Sequence, residues 1–500
     1  MSRGTTTKEP LIVIASNRGP YAFKLNDETQ ELAASRGAGG LVTALSAIGG
    51  EYDVLWVAAA LGKGDVEWVR RHKGQPQAVD DMRISMIIPD RRRYGLYYNT
   101  ISNPLLWFIQ HELWDTPRQP SITASTWDAW REGYVAINKQ FAEAIVSAIG
   151  DTDRPVLVFP QDYHLYLVPH FVREKMGERA QIQPFLHIPW PGPDAWRILP
   201  EHMRTELLTS MLMSDRIGFQ TKTDAFNFVQ ACRFYLPGAH SYGSRDTIEY
   251  KGRTVQAVAY PISIDVERVE ELAAAPSTRL IREHLLSSIG DYRLVLRVDR
   301  IEPSKNIVRG LEAFRALLQA HPEHRGKVKM LALLVPSRME VEEYRTYLGR
   351  IMSEAGRINA EFSDAFYEPV RIILGQNYER ALAAMQFYDV LLVNPLTDGM
   401  NLVAKEGALV NQRDGVLVLS EFAGAIYELS DHVLKISPFD VYGTAEAIHQ
   451  ALTMPYEERA QRATALREIV QRAGVKEWFN RQVNDALVAI RKTQETKAAT

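Results

Sequence analysis

The chain has 500 residues, 46% apolar and 24% charged, which is ordinary globular composition and too much sequence for one compact core. A net charge of −3 gives no global electrostatic reason to bind nucleic acid or an anionic membrane, so any phosphate must be held by locally placed Arg and Lys. The single cysteine, Cys232, excludes an intrachain disulfide and a thiolate zinc site, and the absence of a signal-peptide core or a bilayer-length apolar run points to a soluble protein of the cytoplasm.

Residues 11–15 form an apolar run that reads as a buried parallel strand, ended by Ser16-Asn17-Arg18-Gly19-Pro20. Arg18 thus falls at the carboxyl end of a strand, where open α/β sheets bind ligands. Arg36-Gly37-Ala38-Gly39-Gly40 then opens a helical pattern; its glycines suit close approach to a phosphate or a simple turn, and Val42 stands where a dinucleotide fingerprint needs glycine. Gly62-Lys63-Gly64 is no P-loop, because Val57 occupies the first glycine position. Aromatics and amides gather in a proline-interrupted segment with Tyr97-Tyr98-Asn99 and Asn103-Pro104-Leu105-Leu106-Trp107. Residues 156–159 form another buried strand, ending in Pro160-Gln161-Asp162, and Pro184-Phe185-Leu186-His187 repeats that design as a short strand with a proline-enforced turn. Asp162 and His187 each sit at a strand's carboxyl end, and two such ends on one sheet favour a cleft over two structural residues.

The pattern restarts around Tyr260-Pro261, a hinge between two α/β domains. Residues 294–296 open the second sheet, followed by Arg297-Val298-Asp299-Arg300-Ile301-Glu302-Pro303-Ser304-Lys305-Asn306. Ile307, Leu311, Phe314 and Leu318 recur at helical spacing, so Arg300 and Lys305 are two cations beside a helix N-terminus, a fitting place for a diphosphate. Arg338 follows the next strand, residues 331–335. Residues 390–393 lead into Asp398-Gly399-Met400-Asn401-Leu402-Val403-Ala404-Lys405-Glu406, a strand–loop–helix turn with carboxylates at both ends. Carboxylates would repel an anion, so they suit the neutral hydroxyls of a sugar. After residues 416–419 comes the small-residue turn Ser420-Glu421-Phe422-Ala423-Gly424-Ala425, and Phe479, Val483, Leu487 and Ile490 mark a last apolar helical stripe.

The nonapeptide at 398–406, with the segments from Ser16 to about Leu429, resembles the trehalose-6-phosphate synthase family of retaining GT-B glucosyltransferases. Pattern alone implies two doubly wound sheets; the resemblance implies the GT-B type, two Rossmann-like α/β domains facing a central cleft. The expected division is residues 1–262 for the acceptor, 263–475 for the nucleotide-sugar, and 476–500 as a helix packing back on the first domain with a frayed tail. The resemblance implies transfer of glucose from UDP-glucose or another nucleoside diphosphate glucose to glucose 6-phosphate, giving trehalose 6-phosphate with no cofactor and no metal. It carries roles onto matching residues. Arg300 and Lys305 neutralise the donor diphosphate, under Gly39 and Gly40; Asp398 and His187 hold glucose hydroxyls; Gly399, Met400, Asn401, Leu402 and Val403 complete the donor loop; Glu406 binds ribose. Arg18, Tyr98, Trp107 and Arg338 hold the acceptor phosphate, with Asp162 near the acceptor hydroxyl. Gln161 stands where the family has His, and Asn306 where it has Gly. The segments His187-Ile188-Pro189-Trp190-Pro191, Trp196-Arg197-Ile198-Leu199-Pro200 and Lys305-Asn306 look more like validoxylamine 7′-phosphate synthase, but the donor loop at Met400 and residues 402–405, from which that enzyme departs, is intact and favours a glucosyl donor. A cyclitol phosphate or glycerol 3-phosphate acceptor is the alternative, and a non-catalytic sugar-phosphate-binding homologue a third. A homo-oligomer is compatible with the pattern, which does not set the oligomeric state.

Overall fold

The computed structural model describes residues 9–36, 51–241 and 245–499, with side chains through Arg491; the expected phosphate loop with Gly39 and Gly40 lies outside the described residues. Two compact units form, one of Met1–Pro261 with Lys476–Thr500 and one of Ile262–Val475.

The first unit carries β1 (Leu11–Ala15), β2 (Tyr21–Leu25), β3 (Leu32–Arg36), β4 (Asp53–Ala59), β5 (Gln77–Val79), β6 (Met82–Ile87), β7 (Val156–Pro160), β8 (Ala180–Ile182), β9 (Arg216–Phe219), β10 (Thr247–Tyr250) and β11 (Arg253–Ala259). The main sheet has the order β5-β6-β4-β1-β7-β8, parallel except where β5 pairs with β6. All five residues of β1 and of β7 are buried, as a parallel strand covered on both faces requires. The chain leaves β1 towards β4 on one side and reaches β7 on the other, so the switch point lies beyond the carboxyl ends of β1 and β7.

Two expectations need correction here. Residues 184–187 form no regular strand: Phe185 alone bridges Gln161 on one side and Gly218 on the other, and Pro184 has no N–H to give a ladder. The aromatic segment is not interrupted at Pro104 either. It is a continuous wide helix, Leu96–Leu106, whose i→i+5 spacing absorbs the proline, packed on a second such helix, Ala129–Val135. Gly64, of the rejected P-loop, has a packing reason, because a Cβ there would lie 2.0 Å from the Phe23 carbonyl oxygen of β2. The nearby helix start is occupied by the Asp65 carboxylate, which accepts from Gly62 N at 2.8 Å and Phe23 N at 2.7 Å.

The helix Val475–Ala499 buries Trp478, Phe479, Val483 and Ala486, while Leu487 and Ile490 stay half-buried, so the apolar face is rotated from the expected stripe. Within the first unit Trp478 meets Phe185 edge-on at 4.9 Å and donates Nε1 to Tyr260 O at 3.0 Å.

The second unit carries β12 (Arg293–Arg300), β13 (Val328–Val335), β14 (Val370–Leu374), β15 (Val390–Val393), β16 (Val416–Ser420) and β17 (Leu434–Ile436). All pair in parallel in the order β14-β13-β12-β15-β16-β17, so the switch point lies between β12 and β15. The helix Ile307–Ala320 buries Ile307, Leu311, Phe314 and Leu318 against this sheet, each contributing about 1.5–3 kcal/mol of burial. Among the described residues no helix is long and apolar enough to cross a membrane.

Candidate active site

In the second unit, the loops after β12, β13 and β15 converge at the switch point. Lys305, in the short turn Pro303–Lys305, reaches Asp398 across it, with Nζ 2.5 Å from Oδ2. Burial works against the ammonium charge, but the carboxylates of Asp398, Glu302 and Asp299 together outweigh it, so Lys305 titrates above a free lysine. Asn401 Nδ2 also donates to Asp398 Oδ2 at 3.0 Å.

Backbone geometry fixes this loop. Asn401 (φ 73°) caps the helix Leu402–Val410 by accepting from Ala404 N at 3.2 Å. Gly424 N donates to Asp398 O at 2.9 Å and Ala425 N to Met400 O at 2.8 Å. A Cβ on Gly424 would sit 1.8 Å from Gly399 O, which is why the turn after β16 must be small. Leu402 and Val403 are half-buried on the first turn and Met400 is buried. Lys405 faces away, to Glu428 Oε2 at 2.6 Å and Ile262 O at 2.9 Å, and is a structural residue.

Arg300 ends β12 half-exposed, and its Nη1 lies 3.2 Å from Oε1 of the fully buried Glu302. Arg338 places Nη1 3.0 Å from the same oxygen, and Ser337 Oγ donates to it at 3.1 Å. Arg338 also donates to Tyr344 OH at 2.8 Å. Arg300 and Arg338, expected to serve different phosphates, are therefore tethered to one carboxylate that sequence reading did not single out. Behind them the buried Arg297 pairs with Asp299 at 2.8 Å and donates to the Lys305 and Ile307 carbonyls at 3.1 and 3.3 Å, holding the cationic turn in place. Asn306 adopts φ 58° there, the left-handed region that favours glycine and that asparagine tolerates.

In the first unit, Trp56 Nε1 donates to Ser16 Oγ at 2.7 Å, and Ser16 Oγ donates to Arg18 O at 2.6 Å, fixing the turn that leaves the Arg18 side chain exposed. Asn17 Oδ1 accepts from Tyr94 and Tyr97 at 3.1 and 3.3 Å, tying the wide helix to the end of β1. On that helix Tyr98 is stacked between Tyr94 (5.6 Å) and His164 (5.8 Å). Trp107 is buried and stacked on His111 at 4.0 Å.

Asp162 follows β7 at φ 70°, ψ 174°, a sparsely populated conformation for a residue with a Cβ and one that concentrates at functional sites. Its Oδ1 accepts from His187 N at 3.3 Å. Gln161 donates Nε2 to Phe159 O at 3.1 Å, which turns its Oε1 towards His187 Nε2 at 3.0 Å. That contact assigns the ring proton to Nε2, and burial pushes the imidazole down to about 3, so His187 is neutral at physiological pH.

Comparison with known proteins decides what this arrangement belongs to. A family model described as glycosyltransferase family 20 matches residues 10–487. The chain belongs to glycosyltransferase family 20. The UDP-forming alpha,alpha-trehalose-phosphate synthase 1 of Aspergillus fumigatus is 32% identical over 476 residues, covering 94% of this chain and 88% of that one. The trehalose-6-phosphate structure from E. coli bound with UDP-2-fluoro glucose superposes with a TM-score of 0.81 at 27% identity, covering 95% of this chain and 98% of that one. A UDP-forming synthase from Burkholderia xenovorans in complex with glucose-6-phosphate gives 0.81 at 28% identity over 96% of this chain and 100% of the other. This family 20 chain has the GT-B fold, with two Rossmann-like α/β domains.

Glu406, on the second turn of its helix, accepts from Tyr378 OH at 2.8 Å, and burial pushes its carboxyl up to about 7. A group whose folded pKa is raised stabilises below its unfolded value, and that stability is lost as pH rises through the folded one. Stability of this family 20 protein should therefore decline between roughly pH 4.5 and 7, and Glu406→Gln should flatten that part of the Tm–pH curve. Identical wild-type and variant slopes would show that Glu406 keeps an ordinary pKa.

Proposed function

We propose that this chain is a UDP-forming α,α-trehalose-phosphate synthase, which transfers glucose from UDP-glucose to glucose 6-phosphate with retention of configuration. The observation that carries the reading is the Lys305–Asp398 pair at the switch point of the second unit's sheet, with Arg300 one turn of chain away. Lys305 and Arg300 are fixed cations for the leaving diphosphate, where charge grows as the glycosidic bond stretches, so they stabilise the transition state more than the ground state. Asp398 then passes from its ammonium partner to the glucose hydroxyls, and Glu406 accepts from ribose. Arg18, Tyr98, Trp107 and Arg338 bind the acceptor's phosphate. Asp162 and the neutral His187 position hydroxyls, His187 accepting at Nδ1 because Nε2–H is committed to Gln161.

The bond from anomeric carbon to diphosphate breaks, a bond from that carbon to the acceptor oxygen forms on the same face, and the acceptor proton passes to the departing diphosphate. Atoms and charge balance without a cofactor, and no pair of carboxylates at glycosidase spacing is needed. UDP is the nucleotide that the relatives' names carry, and a cytoplasmic setting suits both substrates. The test is a matrix of UDP-, GDP- and ADP-glucose against glucose 6-phosphate, glycerol 3-phosphate and a cyclitol phosphate, with products weighed by mass spectrometry. Trehalose 6-phosphate with UDP-glucose should dominate. Gln161 and the left-handed Asn306 are among the departures from the family pattern, with Arg36-Gly37 ahead of Ala38-Gly39-Gly40, and a cyclitol product in place of trehalose 6-phosphate would sink the acceptor assignment.

A further inference from the structure

A second concentration of ligating side chains lies at the opposite end of the second unit's sheet, where β12 and β13 begin. The helix Ile307–Ala320 starts beside Lys305 and ends at His321, so 14 residues of helix, about 20 Å, separate this edge from the candidate active site. The turn beyond it carries His321-Pro322-Glu323-His324, and the helix Val441–Thr453 packs alongside with Glu446 and His449 one turn apart. The His321 and His449 rings are stacked, 3.7 Å between centroids and 9° from parallel. Glu323 Oε1 is 3.5 Å from His321 Nδ1 and 3.9 Å from His449 Nδ1. Among the described residues, His321, Glu323 and His449 each bring a ligand atom within 4.8 Å of the other two.

We propose that this cluster is a structural binding site for a divalent transition metal of the zinc class, held by His321, His449 and Glu323. Tetrahedral zinc with bonds of about 2.0–2.1 Å places its ligand atoms roughly 3.3–3.4 Å apart. The separations of 3.5 and 3.9 Å come within about half an ångström of that, and the three ligand atoms, all within 4.8 Å of one another, close on one ion as the imidazoles rotate out of their stack. Glu446 Oε1 accepts from His321 Nε2 at 2.8 Å, which commits the ring proton to that side and turns the Nδ1 lone pair to Glu323. Two acceptors then face each other, an arrangement that a cation resolves, and a carboxylate behind the distal nitrogen is the usual support of a metal-bound histidine. His324 Nε2, 2.9 Å from His449 Nδ1, is placed to give up that contact and take the fourth position. Glu323 and His324 also line a cavity with Asp291, Arg293 and Lys327, which supplies the entry path. The ion would tie the turn after one helix to the flank of another and leave the chemistry at the far end of the sheet alone.

The experiment uses the full chain without a polyhistidine tag, stripped with chelator and titrated near neutral pH with zinc and, for its spectrum, with cobalt(II). One equivalent should bind, the cobalt form should show the visible bands of a tetrahedral nitrogen–oxygen site, and Tm should rise while turnover stays unchanged. His449→Gln and Glu323→Gln, both at partly exposed positions, should keep the circular dichroism of the parent and weaken binding by more than the about 10–100-fold that losing a supporting hydrogen bond costs. Glu446→Gln should weaken it within that range. Absence of a stoichiometric site, binding that is equal in parent and variants, or a change in turnover on loading would each overturn the proposal.

Discussion

Arg300→Ala should cut turnover by about 10²–10³ with Tm unchanged, whereas Lys305→Ala should lose as much turnover and a large part of its stability. The two cations share the proposed task at the diphosphate, so their effects on rate are alike. Their surroundings differ. Arg300 is 51% exposed, and its partner Glu302 keeps Arg338 and Ser337, so removing Arg300 strands no charge. Lys305 and Asp398 are 14% and 16% exposed, and deleting the lysine takes away the cation that faces a largely buried carboxylate. Breaking a buried pair costs about 3–5 kcal/mol, and the residual exposure puts this one at the lower end, a fall in Tm of about 6–12 °C for a domain of this size. Lys305→Ala combined with Asp398→Asn should recover most of that Tm and none of the turnover. Thermal melts and steady-state rates on the three variants decide it. Near-wild-type rates in folded Arg300→Ala and Lys305→Ala would remove the diphosphate assignment altogether.

The contrast between those arginine and lysine sites marks where sequence reading stops. Burial of Ile307, Leu311, Phe314 and Leu318 follows from helical spacing, and the strand ends at Arg18, Asp162, Arg300 and Arg338 follow from apolar runs that stop abruptly, because both patterns are local. Glu302 was invisible for the opposite reason. It sits in a charged stretch that reads as exposed loop, and its burial is set by Arg338, which the chain reaches only 36 residues later. The wide helix at Leu96–Leu106 was missed because proline usually ends a helix, and its close packing on the second wide helix is a tertiary contact: a Cβ at Gly133 would lie 2.6 Å from Tyr97 N. His321 and His449, 128 positions apart, carry no shared motif and meet only through the packing of two helices.

Glu302 also sharpens what Arg338 should do. Its Oε1 holds both guanidiniums, so the proposed acceptor arginine and the proposed donor arginine compete for one buried negative charge. Arg338→Ala should raise the KM for glucose 6-phosphate by about 30–1000-fold, the cost of about 2–4 kcal/mol for removing one partner of a desolvated charge pair. The backbone adds nothing to that difference: Arg338 has φ 48°, and arginine, lysine and alanine all carry the Cβ that makes this conformation unfavourable. Arg338→Lys should therefore recover only part of the loss, since it restores the charge without the planar fork that bonds two phosphate oxygens. UDP affinity should fall less than about tenfold in Arg338→Ala, because Glu302, relieved of one arginine, holds Arg300 more tightly. Adding Glu302→Gln should abolish that small donor effect and leave the acceptor defect in place, a double-mutant cycle with opposite outcomes for the two ligands. Calorimetry with UDP and with glucose 6-phosphate on each variant measures both arms. If UDP affinity collapses while the glucose 6-phosphate KM is untouched, Arg338 serves the donor, and the division of labour between the two arginines must be reversed.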